Sequence, residues 1–126
     1  MPGRENRIRE RPFYEMGKLV EAISETLFPY LQDPFIFFGH SIGARILFET
    51  SRHIRRKWNI QPTRLIVSGS RAPHILEPNP LHHLPDDKFI KELHRFSGTP
   101  EAILQNRGLM EIFLPTLRAD FTIDET

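Results

Sequence analysis

Ser41 stands between Gly39 and Gly43 in the run FFGHSIGARILFE, residues 37–49. Gly39-His40-Ser41-Ile42-Gly43 fits G-x-S-x-G, the pattern of a nucleophile elbow. The chemistry would be nucleophilic: a serine hydroxyl attacks an acyl carbon, forms an acyl-enzyme, and water resolves it. The pattern demands a very sharp turn from strand to helix, with the serine in a strained backbone conformation and Oγ over the C-terminal edge of a sheet. Glycines two before and two after the serine let strand and helix pass close. The backbone N–H of Ile42 falls at the helix N-terminus, where it can help hold an oxyanion. The bare pattern is common, and the competing reading is an ordinary strand–helix turn with glycines for packing. The flanks favour the elbow: four apolar residues precede it and an amphipathic run follows.

The surrounding chain must supply that strand and helix. From Glu15, Met16, Leu19, Val20, Ile23, Leu27 and Leu31 recur at helical steps, while Lys18, Glu21 and Glu25 fall elsewhere. Pro29 is expected to kink or loosen the last turn. The apolar run Phe35 to Phe38, bounded by Pro34 and Gly39, predicts a strand buried on both faces, as in a parallel sheet. Residues 42–57 return to helical spacing. Ala44, Leu47, Phe48, Ser51 and Ile54 make one face, and Arg45, Glu49, Arg52 and Arg56 the opposite one. TRLIVSG, 63–69, predicts a second strand parallel to the first. Helix, strand, helix, strand argues for the α/β class with a parallel sheet.

After Gly69 a proline-rich loop leads to three predicted short helices. The first runs from Asp87 to Phe96 and is ended by Gly98. The second opens at Thr99-Pro100-Glu101, an N-cap followed by proline at the first helical position. The third, Arg107 to Arg118, is apolar on most sides through Leu109, Met110, Ile112, Phe113, Leu114 and Leu117. A helix so apolar must cover something or be covered. The chain has no internal repeat and no low-complexity segment.

Composition narrows the class. Its 126 residues are one domain or part of one. A 39% apolar fraction is enough for a core, which argues against disorder. A net charge of +1 supplies no field for nucleic acid or an anionic membrane. The lack of cysteine excludes disulfides and thiolate metal sites. No apolar run approaches the ~20 residues that span a bilayer, and the charged N-terminus lacks the apolar core of a signal peptide. The expectation is a soluble cytoplasmic protein without nucleic-acid or membrane partners.

Several segments together resemble one family: PGREN with Arg7, FFGHSIGA, VSGSRAPH, LHHLPDDKF, GTPEAIL and LPTLRADF. In this order, and over nearly the whole chain, they are similar to the type II thioesterases of nonribosomal peptide and polyketide synthesis. These are stand-alone α/β-hydrolases related to the medium-chain thioesterase of fatty acid synthesis. The resemblance implies hydrolysis of acyl or aminoacyl thioesters from the phosphopantetheine arm of carrier domains, clearing stalled or wrongly loaded chains. It implies Ser41 as nucleophile, Ile42 as an oxyanion donor, and neither cofactor nor metal. The implied organisation is a partial α/β-hydrolase core over 1–70, a connecting loop over 71–86, a helical lid over 87–118, and a return segment over 119–126. The family's triad order is Ser, Asp, His. By that alignment its Asp and His lie beyond Thr126, and the first strands, with the second oxyanion donor, precede Met1. The chain then corresponds to the middle half of a longer hydrolase and is expected to be inactive alone. The alternatives are a non-catalytic remnant or interaction module, or another serine α/β-hydrolase such as an esterase.

None of the six histidines follows an acid-bearing strand end, so none is assigned as base. His40 is read as a packing or hydrogen-bonding residue, His53 as solvated, and His94 as exposed on the first lid helix. His74 is a loop residue or lines the site mouth. His82 and His83 sit in the proline-rich loop without a carboxylate at metal-ligand spacing. Asp86, Asp87, Asp120 and Asp124 read as caps and surface charges. Arg52, Arg55, Arg56 and Lys57 form a solvated helix face, with docking of an acidic carrier domain as the sharper reading. Arg4 and Arg7 are loop charges or steer a phosphopantetheine phosphate.

Overall fold

The computed structural model describes residues 1–94 and 100–126. The elements are α1 (Met16–Leu27), β1 (Ile36–His40), α2 (Ile42–Trp58), β2 (Arg64–Ser68), α3 (Asp86–Leu93), α4 (Glu101–Leu104) and α5 (Arg107–Glu125). Gly98, expected to end the first of the three short helices, and Thr99, expected to cap the second, lie outside the described residues. The chain divides into two compact units, Phe13–Leu76 and Met1–Pro12 with Glu77–Glu125.

The first unit is a βαβ arrangement with α1 packed on α2. The turn that holds Pro29 departs from the α-helix, as expected: α1 stops at Leu27 and the chain continues as a single 3-10 turn, Phe28–Tyr30. β1 and β2 pair in parallel, Ile36 opposite Arg64 through His40 opposite Ser68. Phe37 packs with Ile54 of α2 and with Leu31, and Leu47, Trp58 and Leu65 border this cluster. α2 ends at Asn59, whose left-handed backbone (φ 57°) lets its N–H reach the Arg55 carbonyl at 3.0 Å.

Two expectations need correction here. β1 is not buried on both faces. It alternates, with Phe37 and Gly39 buried and Ile36 and Phe38 exposed at 57% and 65%. The side chain of Phe37 faces the α2 core, while successive strand residues point to opposite faces. Ile66, beside Phe38 in the register, is also exposed. The buried side of α2 is also broader than its spacing suggests. Ala44, Ile46, Thr50 and Ile54 are buried, while Phe48 and Ser51 are half-buried. The helix serves both β1 and α1, so its apolar arc exceeds one stripe. The buried Thr50 hydroxyl donates to the Ile46 carbonyl at 2.8 Å and so avoids a desolvation cost.

The second unit is helical. Leu81, Phe89, Leu93, Leu104 and Met110 form its core, bordered by Leu84, Leu114, Leu117 and Phe121. α5 passes Pro115 and the expected end at Arg118 and runs to Glu125, so residues expected to lead back as a return segment are helical. The reason is visible in its buried stripe, which continues through Thr116, Ala119 and Ile123. Residues 1–12, expected with the hydrolase core, belong to this unit. The Thr116 hydroxyl donates to the Gly3 carbonyl at 2.8 Å. Gly3 has φ +80°, and a β-carbon there would come within 2.8 Å of Thr116 Oγ1.

Candidate active site

Ser41 is where β1 turns into α2. Its backbone, φ 54° and ψ −129°, is in a region that side-chain-bearing residues rarely adopt. Such strain persists only where the surroundings over-determine it. Two backbone hydrogen bonds do so: Ser41 N–H donates to the Ser68 carbonyl at 2.8 Å, and Ala44 N–H donates to the Ser41 carbonyl at 2.9 Å. The Ser41 side chain is exposed and makes no capping hydrogen bond to α2. Ile42 is the first residue of α2, where a backbone N–H has no intrahelical acceptor.

Only one of the two elbow glycines answers to a close approach. A β-carbon on Gly39 would sit 2.5 Å from the Gly43 carbonyl oxygen and 2.8 Å from Ala44 Cα. Helix α2 therefore begins directly against the strand, and nothing larger than glycine fits at position 39. Gly43 meets nothing within 4 Å, so its glycine is not required by the described residues.

No histidine of this unit hydrogen-bonds Ser41 Oγ among the described residues. His40 Nδ1 lies 3.3 Å from Ser68 Oγ, consistent with its reading as a hydrogen-bonding residue. His74 is exposed in the loop after β2. His53 corrects its expectation of solvation. It is half-buried, edge-on to Trp58 with ring centroids 6.4 Å apart, and Nε2 is buried without a partner among the described residues.

In the helical unit, His94 Nδ1 is 3.3 Å from Glu101, and the His82 and His83 rings meet edge to face. His82 also has a partner that local spacing did not reveal. The Glu125 side chain, only 3% exposed, accepts from His82 Nδ1 and from the backbone N–H groups of Leu81 and His82, each within 2.9 Å. Among the described residues no group of three or more His, Asp or Glu is placed to hold a metal ion.

The acids divide. Asp86 and Asp87 lie in the first turn of α3 but do not cap it: the N-cap is Pro85 and no side chain makes a capping hydrogen bond there, while Asp86 is an exposed charge paired with Arg118 at 2.6 Å. Asp120 is not a surface charge. Its half-buried carboxylate lies 2.5 Å from Arg4 Nη2, and burial raises its pKa above the ordinary value against the opposing pull of Arg4. Arg7 is held by Glu10 at 2.5 Å. Both arginines considered for a phosphate thus carry carboxylates. In the basic stretch of α2, Arg52 pairs with Glu49 at 2.9 Å and Lys57 pairs with Glu25, leaving Arg55 and Arg56 exposed.

A parallel βαβ unit whose strand ends in a strained serine opening the next helix defines a part of the α/β-hydrolase fold. Comparison with known proteins agrees. The sequence pattern of the thioesterase domain family matches residues 1–126, and the chain belongs to that family. It is 48% identical over 124 residues to the gramicidin S biosynthesis protein GrsT of Aneurinibacillus migulanus, covering 98% of this chain and 48% of that protein. Among solved structures it is similar to YbtT, a type II thioesterase from the yersiniabactin pathway, with TM-score 0.85 and 35% identity over 98% of this chain and 50% of that one. RedJ, a thioesterase from the prodiginine pathway of Streptomyces coelicolor, gives TM-score 0.86 and 35% identity over 99% and 50%. The chain spans about half the length of the curated relatives it matches.

Proposed function

We propose that this chain carries the nucleophile of a type II thioesterase that hydrolyses acyl or aminoacyl thioesters on the phosphopantetheine arm of carrier domains. Its role would be editing in nonribosomal peptide or polyketide biosynthesis, in the cytoplasm beside the synthase. The observation that supports this best is the Ser41 backbone, strained and tied to Ser68 at the mouth of a parallel strand pair. Relatives named for gramicidin and yersiniabactin biosynthesis support the substrate class. In this reading Ser41 Oγ attacks the thioester carbonyl carbon and gives its proton to a base. The C–S bond then breaks, and the pantetheine thiol leaves protonated. Water adds to the Ser41 ester and releases the free acid. The Ile42 N–H steadies the oxyanion in both steps.

No base reaches Ser41 Oγ among the described residues of its unit, and a serine hydroxyl without a base is a poor nucleophile. The 126-residue chain by itself should therefore show negligible turnover of acyl-carrier thioesters. A chain extended at both ends to the length of its relatives should hydrolyse them, and Ser41→Ala should abolish that activity. Robust turnover by the short chain, lost on Ser41→Ala, would instead mark one of its own histidines as the base.

A further inference from the structure

We propose that His40 is a positioning residue whose ring clamps the C-terminal end of β2 and so holds Ser41 in its strained conformation. The functional meaning of the clamp rests on Ser41 being the nucleophile; the clamp itself rests on geometry alone. Ser68, the last residue of β2, is gripped twice. Its carbonyl accepts the Ser41 N–H at 2.8 Å, and its hydroxyl lies 3.3 Å from His40 Nδ1. Either group can donate in the second bond, since a hydroxyl both donates and accepts. The next residue, Gly69, has φ +61°, and a β-carbon there would come within 2.5 Å of His40 Cε1. The ring therefore lies directly against Gly69, in space that only glycine leaves open. His40 and Ser41 are consecutive, and the side chain of one and the backbone of the other both hold Ser68, while the ring also abuts Gly69 just beyond the strand. A positive-φ serine relaxes unless it is held, and a hold at two points resists rotation better than the single Ser41–Ser68 hydrogen bond.

The test is amide hydrogen exchange by NMR on the chain extended at both ends to the length of its relatives, with Ile54 in the second half of α2 reporting that the unit stays folded. His40→Ala should speed exchange of the Ser41 N–H by about tenfold, the scale of one lost hydrogen bond. His40→Asn, whose side-chain amide reaches the place of Nδ1, should restore most of the protection. Ser68→Ala should reproduce part of the loss, and the two effects should not add, as for groups in one contact. Unchanged Ser41 exchange in His40→Ala, with Ile54 still protected, would overturn the clamp. If His40→Ala does not fold, the imidazole nitrogen shifts of His40 decide: they should move on Ser68→Ala, and a ring that does not respond refutes the contact. Thioester turnover tests the role of Ser41 separately, so failure of either reading leaves the other standing.

Discussion

Gly39 and Gly43 meet across the turn at Ser41: the carbonyl of Gly43 occupies the space into which a β-carbon on Gly39 would project, 2.5 Å away. The contact is backbone against backbone, so no side-chain rotation relieves it. Gly39→Ala should destabilise the first unit by about 1–3 kcal/mol, the usual cost of overpacking. Gly43→Ala adds a methyl in open space within a helix and should be neutral or slightly stabilising. Chemical denaturation of both variants checks the contrast, and equal losses would contradict this account of the turn.

Phe38 and Ile66 are register neighbours on an uncovered face of the strand pair, exposed at 65% and 47%. Exposed apolar strands with open edges template association. The isolated chain is expected to self-associate, and replacing both residues with lysine should shift light scattering toward monomer. A monodisperse wild-type monomer with a sharp, reversible melt would count against this.

Asp120 makes the helical unit sensitive to pH. Burial raises its pKa, so the folded state holds the proton more tightly than the unfolded chain. The associated stability is full below the unfolded carboxylate range and is lost as pH rises through the folded pKa. Arg4 opposes the shift, so Arg4→Ala should move the loss to higher pH and deepen it. Asp120→Asn should flatten this part of the profile. Unfolding free energies measured between mildly acidic and neutral pH test both.

Glu125 satisfies two backbone N–H groups and the His82 ring with one buried carboxylate. Glu125→Ala strands the donors at Leu81 and His82 and should cost about 1–3 kcal/mol, the penalty for unsatisfied buried groups. His82→Ala leaves both backbone bonds intact and should cost less. Denaturant midpoints of the two variants give the order directly.

The elements around Ser41 were legible because their signals are local. An apolar run, a glycine pair and a 3.6-residue period each act within a few residues, and the observed β1, α2 and β2 fall close to the expected ranges. The turn at Ser41 could be read for the same reason, since Gly39, Ser41 and the first residues of α2 are close in sequence as well as in space.

Other features depend on what packs against what, and only the tertiary structure decided them. His53 lies on the polar side of α2 by spacing, yet Trp58 half-covers it. Asp120 reads as a surface acid until Arg4, 116 positions away, meets it. Glu125 and His82 are 43 positions apart. α5 outran its expected end because Ala119 and Ile123 extend the buried stripe. β1 carries the composition of a strand buried on both faces, but composition states only a capacity for burial. Ile36 and Phe38 are exposed because burial also requires a layer to cover them, and that layer is decided by packing rather than by the residues of the strand.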